Sequence, residues 1–183
     1  MTEQEIKLPV PDLEQAGQKL ARLGAIENKA RHFEDNYLLD TSEQTLQKNK
    51  TALRVRMVAN KAILTFKGQP DTSAGIKSRE EIECELSQPD HLLRIFSRIG
   101  FAPVFRYQKY RTVYEIRGVS LQFCLDETPI GNYLELEGEP DEIHKYARQL
   151  GYSPADYITL SYAALYFQWT AEKNVQPSEM VFG

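Results

Sequence analysis

Arg79-Glu80-Glu81-Ile82-Glu83-Cys84-Glu85-Leu86 is the stretch on which the fold turns. Successive residues of a strand point to opposite faces. Sorted that way, Arg79, Glu81, Glu83 and Glu85 share one face, and Ile82, Cys84 and Leu86 share the other. Like charges at i and i+2 repel across one face unless something neutralises them. A strand that is charged on one side and apolar on the other needs both a core and a counter-charge.

Working outward, six further segments sort the same way. Glu3, Glu5 and Lys7 oppose Ile6 and Leu8; Arg54 and Arg56 oppose Leu53, Val55 and Met57. Thr65 and Lys67 oppose Leu64 and Phe66; Lys109 and Arg111 oppose Tyr110, Thr112 and Tyr114. Asp126 shares a face with Gln122, opposite Leu121, Phe123 and Leu125, and Glu135 and Glu137 oppose Leu134 and Leu136. Period-two patterning predicts strands near residues 2–8, 31–39, 52–58, 61–67, 79–86, 104–116, 119–126 and 133–139. Helical periodicity marks Asp12 to Leu23, Pro89 to Ile99, Pro140 to Leu150 and Ser161 to Trp169, the first three closed by Gly24, Gly100 and Gly151. The order Glu-x-Glu, Pro-Asp, helix, Gly occurs three times, from Glu3, Glu81 and Glu135, as a partial internal repeat.

The chain has 183 residues, 42% of them hydrophobic, and a net charge of −4, which suits one domain and excludes a disordered chain. The longest apolar run, Tyr162 to Phe167, is far short of the ~20 residues of a membrane span, and the polar Met1 to Lys7 is unlike a leader. The acidic total argues against a nucleic-acid coat or a membrane-surface protein. Cys84 and Cys124 fit no metal or redox spacing, which points to a reducing cytoplasmic location. Residues 1–169 are expected to form one domain. The tail, 170–183, lacks periodicity and is expected to be poorly ordered, with Met180, Val181 and Phe182 as docking candidates. Asp40 to Thr51 and Gly68 to Ser78 read as loose loops, and Gly75-Ile76-Lys77-Ser78 as a mobile lip.

Two architectures accommodate these faces. One is a sheet packed on helices with its other face wet, a common arrangement. The other is an α+β fold in which eight antiparallel strands close into a barrel, charged inside and covered by helices outside. Charges of both signs, segregated by strand and with few Ser or Thr among them, favour the barrel. Its bore would hold Lys7, Arg54, Arg56, Lys67, Arg79, Lys109 and Arg111 beside Glu3, Glu5, Glu81, Glu83, Asp126, Glu135 and Glu137. Burying so many charges requires pairing or charged ligands. Carboxylates without His or Cys suit Mg²⁺ or Mn²⁺, and Arg and Lys on rigid strands suit phosphate oxygens. A metal-bound polyphosphate satisfies both halves. Lys7, placed among cations, would lose its proton readily and could assist a nucleophile or leaving group.

The ordered motifs resemble the CYTH superfamily, or triphosphate tunnel metalloenzymes. They are Glu3-x-Glu5-x-Lys7, Leu53-Arg54-Val55-Arg56, Leu64-Thr65-Phe66-Lys67-Gly68, Arg79-x-Glu81-x-Glu83, Lys109-x-Arg111, Leu125-Asp126-Glu127 and Gly131-x-Tyr133-x-Glu135-x-Glu137, with Ser161-Tyr162 as a late motif. The resemblance implies an eight-stranded tunnel enzyme using two divalent ions on a small-molecule triphosphate such as ATP, tripolyphosphate or thiamine triphosphate. It implies that Glu135, Glu137 and Asp126 hold one ion and Glu3 and Glu5 a second, with Glu81 and Glu83 as further candidates. It assigns the phosphate chain to Lys7, Arg54, Arg56, Lys67, Arg79 and Arg111, with Lys109 beside them, and makes Glu3, Glu5, Lys7 and Lys67 the catalytic candidates. Homodimers occur in the superfamily. The stretch Ile76 to Glu83 and His32-Phe33 look most like the class IV adenylyl cyclase branch, ahead of the triphosphatases and of a non-catalytic polyphosphate-binding module. His32 itself reads as structural, Ser161 belongs to no triad, and Cys124 lacks a partner that would activate it.

Overall fold

A computed structural model describes residues 2–58 and 61–183. Eight strands occupy Thr2–Val10 (β1), Ile26–Thr41 (β2), Ala52–Val58 (β3), Lys61–Lys67 (β4), Lys77–Leu86 (β5), Phe101–Glu115 (β6), Gln122–Thr128 (β7) and Gly131–Glu137 (β8). They close into a barrel in the order β1-β5-β4-β3-β2-β6-β7-β8, and every neighbouring pair is antiparallel. Closure explains how alternation so complete can be stable: every strand has a partner on both sides, and the polar set faces an enclosed bore.

The apolar faces point outward and are covered. Helices Leu13–Arg22 (α1) and Pro140–Gln149 (α4) bring Leu20, Ile143, Tyr146 and Ala147 onto Ile6, Leu8, Phe123, Leu134 and Leu136, forming the main core. Pro89–Arg98 (α3) lays Leu92, Leu93 and Phe96 over Leu39, Val55 and Ala62. Tyr162–Lys173 (α5) instead meets the bore side, setting Tyr162 and Tyr166 against Phe105 and Tyr107, which share the parity of Lys109 and Arg111 and line the cavity. A four-residue turn of helix, Thr45–Lys48 (α2), completes the set. The expected stops hold: Gly24, Gly100 and Gly151 follow their helices with φ of 82°, 93° and 93°, a region that favours glycine. No helix among the described residues is long and apolar enough to cross a membrane.

Each half of the chain runs strand, helix, then three strands, from β1 to β4 and from β5 to β8, with α2 as the exception between β2 and β3. Two copies of the Glu-x-Glu repeat open these halves. The third, on β8, lies beside β1 in the closed sheet.

Three expectations need correction. The loop Asp40 to Thr51 is organised around Asp40, whose carboxylate accepts from the backbone of Thr41, Leu46 and Gln47 at 2.7–2.9 Å. The presumed lip at Gly75–Ser78 is partly structural: β5 begins at Lys77, and Ile76 is buried in the main core. Reciprocal Asp71–Ser78 backbone bonds at 2.8 Å fold that loop back as a hairpin. The tail also docks. α5 continues to Lys173, and Met180 pairs in parallel with β6, taking the Arg106 carbonyl and giving its own to Gln108. β6 pairs with β7 only from Tyr110 onward, so the tail covers an edge that β7 leaves open. Met180 is fully buried, and Phe182 packs on Tyr110.

Met180→Ala should therefore destabilise the protein by about 2–5 kcal/mol, the usual range for emptying a buried methionine site. A urea unfolding midpoint unchanged from wild type would show that the tail contributes nothing to the fold.

Candidate active site

The bore is a cavity of about 1720 Å³. On one wall, β1 lies between β5 and β8, in a register that sets Glu3 opposite Arg79, Glu5 between Lys77 and Glu137, and Lys7 opposite Glu135. Three carboxylates converge there: oxygens of Glu3, Glu5 and Glu137 all lie within 4.8 Å of one another. Lys77 Nζ donates to Glu5 at 2.7 Å, and Lys7 Nζ stands 3.3 Å from Glu5 and 3.2 Å from Glu135. Lys67 and Arg79 both bond Glu81, and both stand near Glu3, at 3.6 and 3.5 Å.

The facing wall comes from β2, β3, β6 and β7. Asp126, completely buried, accepts from Lys109, from both ends of the Arg111 guanidinium and from the Tyr162 hydroxyl. Arg111 also pairs with Glu135 and reaches Glu137 at 3.3 Å. Glu34 neutralises Arg56 at 3.3 Å and Lys109 at 3.7 Å. Arg54 bonds Thr65 and Glu83 at 3.0 and 3.2 Å, with the Glu83 side chain half exposed at the rim.

Each predicted site residue faces this bore, but in two sets of acids. Asp126, Glu135, Glu81 and Glu83 bind cations of the protein itself, and Glu3, Glu5 and Glu137 do so as well while converging on one another. Only Glu3, Glu5 and Glu137 gather as a cluster able to hold a metal among the described residues. Asp126, expected beside Glu135 and Glu137 on an ion, is bonded to Lys109 and Arg111. Glu34, Lys77, Asn36 and Tyr107 were missed. Lys77 shares the parity of Arg79 and Glu81 and was legible once β5 is extended by one pair. Glu34 and Asn36 required sorting β2, whose register shifts between Lys29 and His32 obscure the pattern. His32 holds a structural position, with its ring nitrogens facing Ala30 O at 2.9 Å and Glu34 at 3.3 Å.

Burial and charge act on these groups in opposite directions. Burial alone would raise Glu5, but Lys7 and Lys77 hold it well below the usual carboxylate range. Glu135 and Glu34 are likewise held low against burial, chiefly by Arg111 and Lys7 and by Lys109 and Arg56 respectively. Burial, aided by Glu81 and Glu5, pushes Glu3 up to about 8. Burial, with Glu135 and Glu5 outweighing Arg111, pushes Glu137 up to about 7. Lys7 has Lys77 beside it on Glu5, and burial would lower it, yet Glu135 and Glu5 raise it, so it stays charged. Lys67 is brought down to about 8 by burial and by Arg54 and Arg79, and burial lowers Lys77 as well.

The trio fits a hard divalent ion. Its donors are carboxylate oxygens, as Mg²⁺ and Mn²⁺ prefer, and the buried Glu3 Oε2 has no hydrogen-bond donor. In the metal-free protein, Glu3 and Glu137 bind protons more tightly folded than unfolded. Their stabilising contribution is full below about pH 4.5 and is lost as the pH rises through about 7 to 8. A divalent ion replaces those protons. Melting temperature without metal should fall between roughly pH 5 and 7.5, and the increment from Mg²⁺ should grow across the same window. An Mg²⁺ increment that is absent or flat with pH would contradict a metal site on this trio.

The comparisons with known proteins converge. A Methanocaldococcus jannaschii protein provisionally named an adenylate cyclase is 29% identical over 145 residues, 79% of this chain and 81% of that protein. A Pyrococcus horikoshii structure is 27% identical with a TM-score of 0.72, covering 89% of this chain and 98% of its own. A Hippeastrum structure, provisionally named an adenylyl cyclase and described as having a dominant triphosphatase activity, is 22% identical with a TM-score of 0.66, over 96% and 97% of the two chains. The CYTH domain family profile matches residues 1–162. With its closed eight-stranded barrel and its acids and cations turned into one bore, this chain belongs to the CYTH family.

Proposed function

We propose that this chain is a divalent-metal-dependent enzyme that hydrolyses a triphosphate held inside the bore. The observation that carries the reading is the Glu3–Glu5–Glu137 trio, placed within the same cavity as Lys67, Arg79 and Arg111. A divalent ion on the trio would polarise a phosphoryl oxygen and lower the pKa of a bound water. The protein's own groups do the rest. Arg54, Arg56, Arg79 and Arg111 offer forked donors to phosphate oxygens, and Lys67 and Lys109 offer point charges. Lys7, held protonated, serves as a fixed positive charge and not as a base. A second ion on Asp126 or Glu135 would exchange places with Lys109, Arg111 or Lys7, as the ion on the trio would with the Lys7 and Lys77 partners of Glu5.

Cyclisation of ATP to cyclic AMP and pyrophosphate is the second reading, favoured by the name of the Methanocaldococcus relative. Both reactions require the same neutralisation of charge on the transferring phosphoryl group. The chain as a soluble cytoplasmic enzyme is part of the same proposal.

The direct test is product analysis with tripolyphosphate and with ATP, each in Mg²⁺ and in Mn²⁺. Orthophosphate without cyclic AMP is the expected result. Glu137→Gln should lower turnover by at least the roughly 10–100-fold that losing an outer partner of a metal ligand costs. Cyclic AMP with pyrophosphate would establish the second reading. Absence of both turnover and metal-dependent triphosphate binding would reject both.

A further inference from the structure

Three residues other than glycine adopt a positive φ among the described residues: Gln44 at 55°, Lys50 at 54° and Asn174 at 54°. Asn174 caps α5, and asparagine tolerates the left-handed region because its short polar side chain bonds locally. Gln44 and Lys50 have no such reason. They flank α2, with Gln44 at its N-cap and Lys50 just past its C-cap residue, Asn49. Thr51 N donates to Leu46 O and Lys50 N to Gln47 O, a closing pattern in which glycine is the usual choice at the position Lys50 holds. Both strained residues line the cavity, as does Gln47, whereas Asn174 does not. Strain retained at two positions on one cavity lip is typical of segments that contact a ligand.

The side chains on this lip are also uncommitted. The loop itself is held in place: Asp40 fixes the backbone of Thr41, Leu46 and Gln47, and the Thr41 and Thr45 hydroxyls lie 2.9 Å apart. Among the described residues, the side chains of Gln44, Gln47 and Lys50 make no hydrogen bond or ion pair with the protein. The cations deeper in the bore are already paired: Lys7 and Lys77 with Glu5, Lys67 and Arg79 with Glu81, Lys109 and Arg111 with Asp126. Ala52 pairs with Lys67 in the sheet, so the exposed Lys50, two residues before Ala52, stands on the approach to that section. We infer that Gln44, Gln47 and Lys50 form a capture site for phosphate oxygens at this lip, with Lys50 as its charge and the two amides as neutral donors. This rests on the proposed triphosphate chemistry and adds the side from which the phosphate chain enters. An anion arriving there meets a cation with no acid to displace, whereas the cations behind it must first exchange their internal partners. An exposed charge of this kind draws a polyanion inward and is screened by salt.

The test measures binding of tripolyphosphate in Mg²⁺ by calorimetry at low and at high salt, with the melting temperature of each variant beside it. Lys50→Gly relieves the strained backbone and removes the charge. It should raise the melting temperature yet weaken binding about three- to fivefold at low salt, the scale of an exposed ion pair. The loss should shrink at high salt, and Lys50→Arg should retain the affinity. Gln44→Gly should also raise the melting temperature and weaken binding, without the salt dependence. Lys48→Ala removes the same charge from α2 at a position that does not line the cavity, and should leave binding unchanged. If Lys50→Gly binds as tightly as wild type, or Lys48→Ala loses as much, the capture site is wrong and the bore reading stands. If the wild type does not bind tripolyphosphate at all, both fail.

Discussion

Charge balance inside a closed sheet is the constraint on which the rest of this structure depends. Eight strands turn their charged faces toward one another, so each buried cation needs an acid within reach. Arg111 donates two bonds to Asp126 and pairs with Glu135, Lys109 shares Asp126, and Arg56 relies on Glu34. Removing one member of such a pair leaves a buried charge uncompensated, typically at about 3–5 kcal/mol, whereas the assembled network contributes little net stability. The fold is therefore held by its outside. Ile6, Leu8, Phe123 and Leu136 meet α1 and α4 on the outer surface, and that layer carries the hydrophobic stabilisation.

The same constraint sorts the acids by task. Those beside two or more cations, such as Glu5, Glu34 and Glu135, are held low against burial and remain charged. Glu3 and Glu137 are pushed up first by burial and then by their acidic neighbours, against Lys67 and Arg111 respectively. Glu5 belongs to both groups, paired with Lys7 and Lys77 yet within reach of Glu3 and Glu137. Three carboxylates thus converge within 4.8 Å of one another among Lys7, Lys67, Lys77, Arg79 and Arg111, and that convergence makes the trio the candidate cation site. Asp126 has equal chemistry, but Lys109, Arg111 and Tyr162 occupy its oxygens.

Strand parity made the inner face readable in advance, since alternation is local and survives any tertiary arrangement. Arg54 and Arg56, or Glu135 and Glu137, need only their own neighbours in sequence to be assigned a side. Partners across the bore are not local. Nothing in Glu3-x-Glu5-x-Lys7 places Lys7 between Glu5 and Glu135; that follows from the β1–β8 register, and it reverses the expectation that Lys7 sheds its proton. Glu34 was hidden by irregular pairing of a 16-residue strand, and Lys77 by the Gly and Pro residues before it. The tail was illegible for a related reason. Met180 finds its place by pairing with a β6 edge more than seventy residues earlier, and no periodicity within 170–183 announces it.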